Sequence, residues 1–112
     1  MVNFTVHDEK LFRDLPGEDI VRKGLSDLLE GLETVSSLLV ASGLPRLKWN
    51  GLELSGVQIP SQPEQKLYTR LREDYPENAY AKYNSLMREL SSFSRALESR
   101  LTRMAKERAN VS

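Results

Sequence analysis

The chain has 112 residues, enough for one small hydrophobic core and near the lower limit of unaided stability. Sixteen Lys/Arg cancel sixteen Asp/Glu, so no global field directs the protein to nucleic acid or a membrane surface. The absence of cysteine excludes disulfides, thiolate metal sites and cysteine nucleophiles.

Apolar residues at 39% and charged residues at 29% suit a rather polar, helix-rich globular chain and not a disordered one. Through Gly56 there are six basic and nine acidic side chains, and beyond it ten and seven. That asymmetry favours mutual association of the halves and says little about a partner. The start, "MVNFTVHDEKLF", lacks the basic-then-apolar order of a signal peptide, and no apolar run approaches the roughly 18 residues of a membrane span. A cytoplasmic protein is expected, with no membrane association.

Residues 1–17 read as an N-terminal arm. Val2, Phe4 and Val6 alternate with polar residues as in a short strand, and one helical turn capped by Asp8 follows before Pro16 and Gly17. Over residues 18–42, Val21, Leu25, Leu28, Leu32, Val35 and Leu39 recur at steps of four and three, a helical seam with Glu18 and Asp19 in its first turn. Gly43 is the expected residue just past its end. Gly24 and Gly31 flank the seam and leave two readings: close approach of another helix, or a break at Gly31 followed by a second helix from Glu33 to Ser42.

Residues 43–62 form a loop or hairpin holding the sole tryptophan, in "PRLKWNGLELSGVQIP". Asn50-Gly51 is the preferred pair for a two-residue hairpin turn. A β-hairpin over residues 46–54 would then put Leu47, Trp49, Leu52 and Leu54 on one face, with Lys48 opposite Glu53 on the other. The rival is a short helix beginning at Pro45 and closed by Gly51. In that reading the segment has a helix-turn-helix outline, but a helix of about six residues is too short to read a groove.

Residues 63–108 read as two helices. The first, Pro63 to Asp74, carries Leu67, Tyr68 and Leu71 on one face. The second opens with Pro76 at its first position and runs to Arg108, with an apolar stripe of Tyr83, Leu86, Leu90, Phe93, Leu97, Leu101 and Met104. Such a helix is roughly 50 Å long, more than so small a chain can cover. The end of its stripe therefore predicts a homodimer formed through the last helix. Tyr68, Tyr75, Tyr80 and Tyr83 surround the Pro76 turn, either packing a helix junction or offering an interface.

No catalytic constellation is visible. His7 is the only histidine, phosphate-loop and dinucleotide fingerprints are absent, and the adjacent carboxylates lie in polar segments. The expectation is a non-enzymatic protein with no metal or cofactor. The expected fold is mainly α: a small helical bundle or helical hairpin with a long C-terminal helix, a hairpin insert over residues 46–54 and a short N-terminal strand.

The expected function is protein interaction or assembly, with a homo-oligomer or another protein as partner. Trp49, Leu52, Leu54, Leu97, Leu101 and Met104 are the candidate interface. The alternative is nucleic-acid binding. On a helical projection Arg88, Arg95 and Lys106 fall on nearly one line opposite the apolar stripe, with Arg103 close by, and this basic stripe could follow a phosphate backbone. The lack of aromatic residues on that face weakens single-strand binding.

Overall fold

The computed structural model describes residues 3–111, and within them all side chains but those of Glu9, Asn110 and Val111. Five helices follow in order: α1 (Glu9–Phe12), α2 (Glu18–Leu29), α3 (Val35–Trp49), α4 (Pro63–Asp74) and α5 (Ala79–Val111). α3 is the centre of the bundle, packing against α2, α4 and α5. Leu38, Leu39, Val40, Leu44 and Leu47 of α3 are all buried, because a helix with partners on several sides needs apolar residues on several sides.

Both readings of the Gly24 and Gly31 pair hold, each at one position. At Gly31 (φ +73°) the chain breaks: Gly31 N–H donates to the Leu28 carbonyl (3.1 Å) and Leu32 N–H to the Asp27 carbonyl (2.8 Å). These are the paired bonds of a Schellman closure, whose left-handed residue glycine adopts without steric cost. At Gly24, α3 approaches so closely that a Cβ would collide with the Ser36 carbonyl and the Val40 side chain. The next helix opens on a capping box. Thr34 Oγ1 accepts from Ser37 N–H (3.1 Å), and Ser37 Oγ accepts from Thr34 N–H (2.8 Å).

The expected hairpin over residues 46–54 does not form. α3 runs through Gly43 and Pro45 to Trp49, so Gly43 is a mid-helix residue against Leu90 and not a terminator. Asn50-Gly51 closes the helix instead. Gly51 (φ +113°) donates to the Lys48 carbonyl at 3.0 Å, and Leu52 to the Leu47 carbonyl at 3.0 Å. This second Schellman closure buries Leu47 and Leu52 together. Burial of Leu44 and Leu47 in the bundle outweighs the local turn preference and the hydrogen bond that Pro45 cannot donate. The rival reading had Gly51 in its true role but started the helix ten residues late.

The N-terminal strand reduces to one parallel bridge between Phe4 and Leu52, in which Phe4 N–H donates to Gly51 (2.8 Å) and Glu53 N–H to Phe4 (2.7 Å). Val2 lies outside the described residues. Asp8 precedes α1 but its side chain makes no cap bond to it; its carboxylate accepts from Thr5 N–H at 2.7 Å. The arm is fixed by aromatic contacts, with Phe12 edge-on to both Phe4 (5.8 Å) and Phe93 (5.5 Å).

α4 has the expected bounds. α5 begins three residues later than expected, because Pro76 sits inside a turn closed by Asn78 N–H on the Tyr75 carbonyl (3.0 Å). The Asn78 carbonyl then accepts from Lys82 N–H at 2.9 Å, opening the helix. α5 spans 33 residues, roughly 50 Å, within a molecule 55 Å in its longest dimension. Among the described residues no helix is long and apolar enough to cross a membrane.

Candidate interaction surface

The sequence candidates separate into core and surface. Leu52 and Leu97 are buried at 4% and 0% exposure, so neither can meet a partner in this fold. Leu54 and Leu101 are half-buried against the core. Trp49 is 78% exposed and Met104 38%. Trp49 owes its exposure to the helix: on α3 it is two residues from Leu47, so when Leu47 faces inward Trp49 points away, whereas a strand would have aligned them. Pro45, one turn earlier, is exposed beside it.

Every residue from 102 to 109 is exposed, two turns of α5 that stand clear of the bundle. Where this overhang leaves the core, it forms one wall of a groove whose other wall is the N-terminal arm, with a volume of about 1040 Å³. Phe4, Leu11, Leu101, Met104 and Ala105 give the groove an apolar lining. Lys10, Arg13, Arg100 and Arg108 supply cations around it. Arg100 holds the walls together, its Nη1 donating to the carbonyls of Leu11 (2.9 Å) and Arg13 (2.7 Å).

Sequence reasoning missed the groove. The Leu11–Arg100 contact spans 89 residues, and nothing local in either segment announces it.

At the inner end, Glu98 is clamped by the Arg46 guanidinium through two bonds of 2.7 Å and by Asn50 Nδ2 at 2.8 Å. The Arg46 hydrogen bonds, assisted by Asn50, hold the Glu98 carboxyl below its ordinary value, against the opposing effect of burial. This neutralises the one carboxylate on that wall. His7 also lines the groove and is exposed.

The basic stripe remains on the surface. Arg88, Arg95, Arg103 and Lys106 are all exposed, and none makes an ion pair among the described residues. The tyrosines divide. Tyr68 and Tyr83 pack edge to face at 5.7 Å between α4 and α5, while Tyr75 and Tyr80 are 44% and 69% exposed.

The buried polar groups have structural roles. Asp27 accepts from Thr34 Oγ1 (2.6 Å) and Lys23 Nζ (2.9 Å), which lowers its pKa, Thr34 contributing most. No buried side-chain nitrogen or oxygen among the described residues lacks a partner, and no group of three His, Asp or Glu there could hold a metal. The arrangement offers contact surface and charge. Compared with protein-family models, curated proteins and solved structures, the chain matches none.

Proposed function

We propose that the protein is a small, non-enzymatic helical assembly protein of the cytoplasm that forms homo-oligomers through the end of the bundle bearing the α5 overhang. The observation that carries this reading is the exposure of residues 102–109 on every side, Met104 among them. An isolated two-turn helix is marginal in water, and helices in proteins are held mainly by packing of an apolar face. Trp49, at the same end of α3, adds the type of residue that dominates interface energetics.

The test is light scattering across micromolar concentrations with Met104→Glu as control. The wild type should gain mass with concentration and Met104→Glu should remain monomeric with unchanged circular dichroism. A wild-type monomer throughout would overturn the reading.

The unpaired stripe of Arg88, Arg95, Arg103 and Lys106 supports nucleic-acid binding as a second reading. Such binding should weaken steeply with salt and vanish when Arg88, Arg95 and Lys106 become Glu, leaving an apolar interface intact. No binding even at low salt ends it.

A further inference from the structure

The two ends of the molecule carry complementary chemistry. At one end, the groove between the N-terminal arm and the α5 overhang is apolar within and basic around, with Lys10, Arg13 and Arg108 in no ion pair among the described residues. Among the described side chains, Asp8 is the one lining carboxylate not already held by an arginine, so the described cations prevail. At the other end is the turn between α4 and α5, "EDYPE", residues 73–77. Its carboxylates Glu73, Asp74 and Glu77 are exposed and likewise in no ion pair among the described residues. They outnumber the flanking Arg72 and Lys82, the latter lying over the Tyr75 ring at 5.5 Å. The same tip presents two exposed aromatic side chains, Tyr75 and Tyr80.

We propose that the groove receives the acidic, tyrosine-bearing turn 73–77 of a second copy, so that the protein assembles head to tail. This rests on the assembly reading above and names its partner surface. Three arguments select this occupant. First, charge: three carboxylates meet a groove with an excess of cations, and complementary potentials fix both partner and register. Second, chemistry: a groove lined by Phe4, Leu11, Leu101 and Met104 suits an aromatic anchor, and thioether–ring contacts are favourable.

Third, distance and charge weigh against the simpler arrangements. The turn precedes the first residue of α5 and the groove begins at Glu98, roughly 30 Å further along the helix, so one copy cannot fill its own groove. Symmetric pairing of two overhangs would set two surfaces with the same excess of cations side by side, Arg103, Lys106 and Arg108 against a single Glu107 in each copy. A joint between unlike surfaces at opposite ends is heterologous, and repeats until a ring closes or a filament grows.

The experiment uses two variants of exposed positions, each checked for native circular dichroism. Lys10→Glu with Arg13→Glu spoils the groove and keeps the tip. Glu73→Gln with Tyr75→Ser spoils the tip and keeps the groove. In sedimentation velocity the wild type should form a concentration-dependent series of species, weakened roughly tenfold or more in affinity by raising salt through screening of the joint. Each variant alone should be monomeric. Their equimolar mixture should form a one-to-one pair and nothing larger, because only one intact groove and one intact tip remain per pair. A mixture that stays monomeric while the wild type assembles overturns the head-to-tail joint and leaves self-association standing; a wild type that stops at two, with the mixture still pairing, is the reciprocal closed pair of the same joint. A wild type monomeric at every concentration overturns both.

Discussion

Arg46 and Glu98 lie 52 residues apart and meet in a two-pronged ion pair, Nε to Oε2 and Nη2 to Oε1, each 2.7 Å. The pair ties the last turn of α3 to α5 at the mouth of the groove, and Asn50 adds a third bond from the cap of the same helix. Because the side chains remain 41% and 34% exposed, solvent screening keeps the stabilisation modest, about 1 kcal/mol or less.

Glu98→Gln should therefore lower the urea midpoint slightly at neutral pH, and its effect should depend on acidity. The Glu98 carboxyl is depressed in the fold below its ordinary value of 4.5, so its contribution is complete above that value. It is lost as the pH falls through the depressed folded value. Urea titrations of wild type and variant should differ at pH 7 and converge in acid; a difference that grows in acid would show that the pair is not the cause.

The two glycines inside helices should respond differently to alanine. At Gly24 the new methyl meets the backbone carbonyl of Ser36, which cannot move without shifting α3, so a loss of about 1–3 kcal/mol is expected. At Gly43 it meets Leu90 Cδ2 at 2.7 Å, the far end of a side chain that can turn aside. There the helix-propensity gain of about 1 kcal/mol offsets the crowding, leaving stability nearly unchanged. Chemical denaturation of both variants measures the contrast, and equal losses would contradict it.

How much of this was legible in the sequence follows the range of the determining contacts. α4 could be bounded to the residue because Pro63 and the Leu67/Leu71 face are local signals. The break at Gly31 was legible for the same reason. Asn50-Gly51 was misread because the pair suits two backbone geometries, a hairpin turn and a Schellman closure. The choice between them is made by Leu44 and Leu47 reaching the bundle core, which no local pattern reports. The error carried over to the surface: on a strand Trp49 joins Leu47, on a helix it leaves it. The α5 stripe was correctly located but too uniform to show where the core ends, so buried Leu97 and exposed Met104 read alike.

The capping box at Thr34 couples two elements through one hydroxyl. Thr34 Oγ1 accepts from Ser37 N–H and donates to the buried Asp27 carboxylate at 2.6 Å. Thr34→Ala should cost about 1–2 kcal/mol from the lost cap. It should also raise the Asp27 pKa, because Thr34 is the largest cause of its depression. Thr34→Ser keeps the hydroxyl and should restore both. Thermal melts and an NMR titration of the Asp27 carboxyl read the two effects separately; loss of stability with no change in the Asp27 titration would break the link.

Trp49 is the only tryptophan, so its fluorescence reports one site. At 78% exposure in the single chain, dilute protein should emit as a solvent-exposed indole and be readily quenched by acrylamide. Its removal should leave the fold alone: Trp49→Ala is expected within about 0.5 kcal/mol of wild type, the usual range for exposed positions without partners. At concentrations where the protein associates, quenching should fall if Trp49 lies in the contact, and Trp49→Ala should then weaken association at least roughly tenfold, the size of effect an aromatic anchor carries. Quenching that stays unchanged as mass rises would remove Trp49 from the interface. The overhang and its groove would remain as the contact, since Met104 and Leu101 line that groove and Trp49 does not.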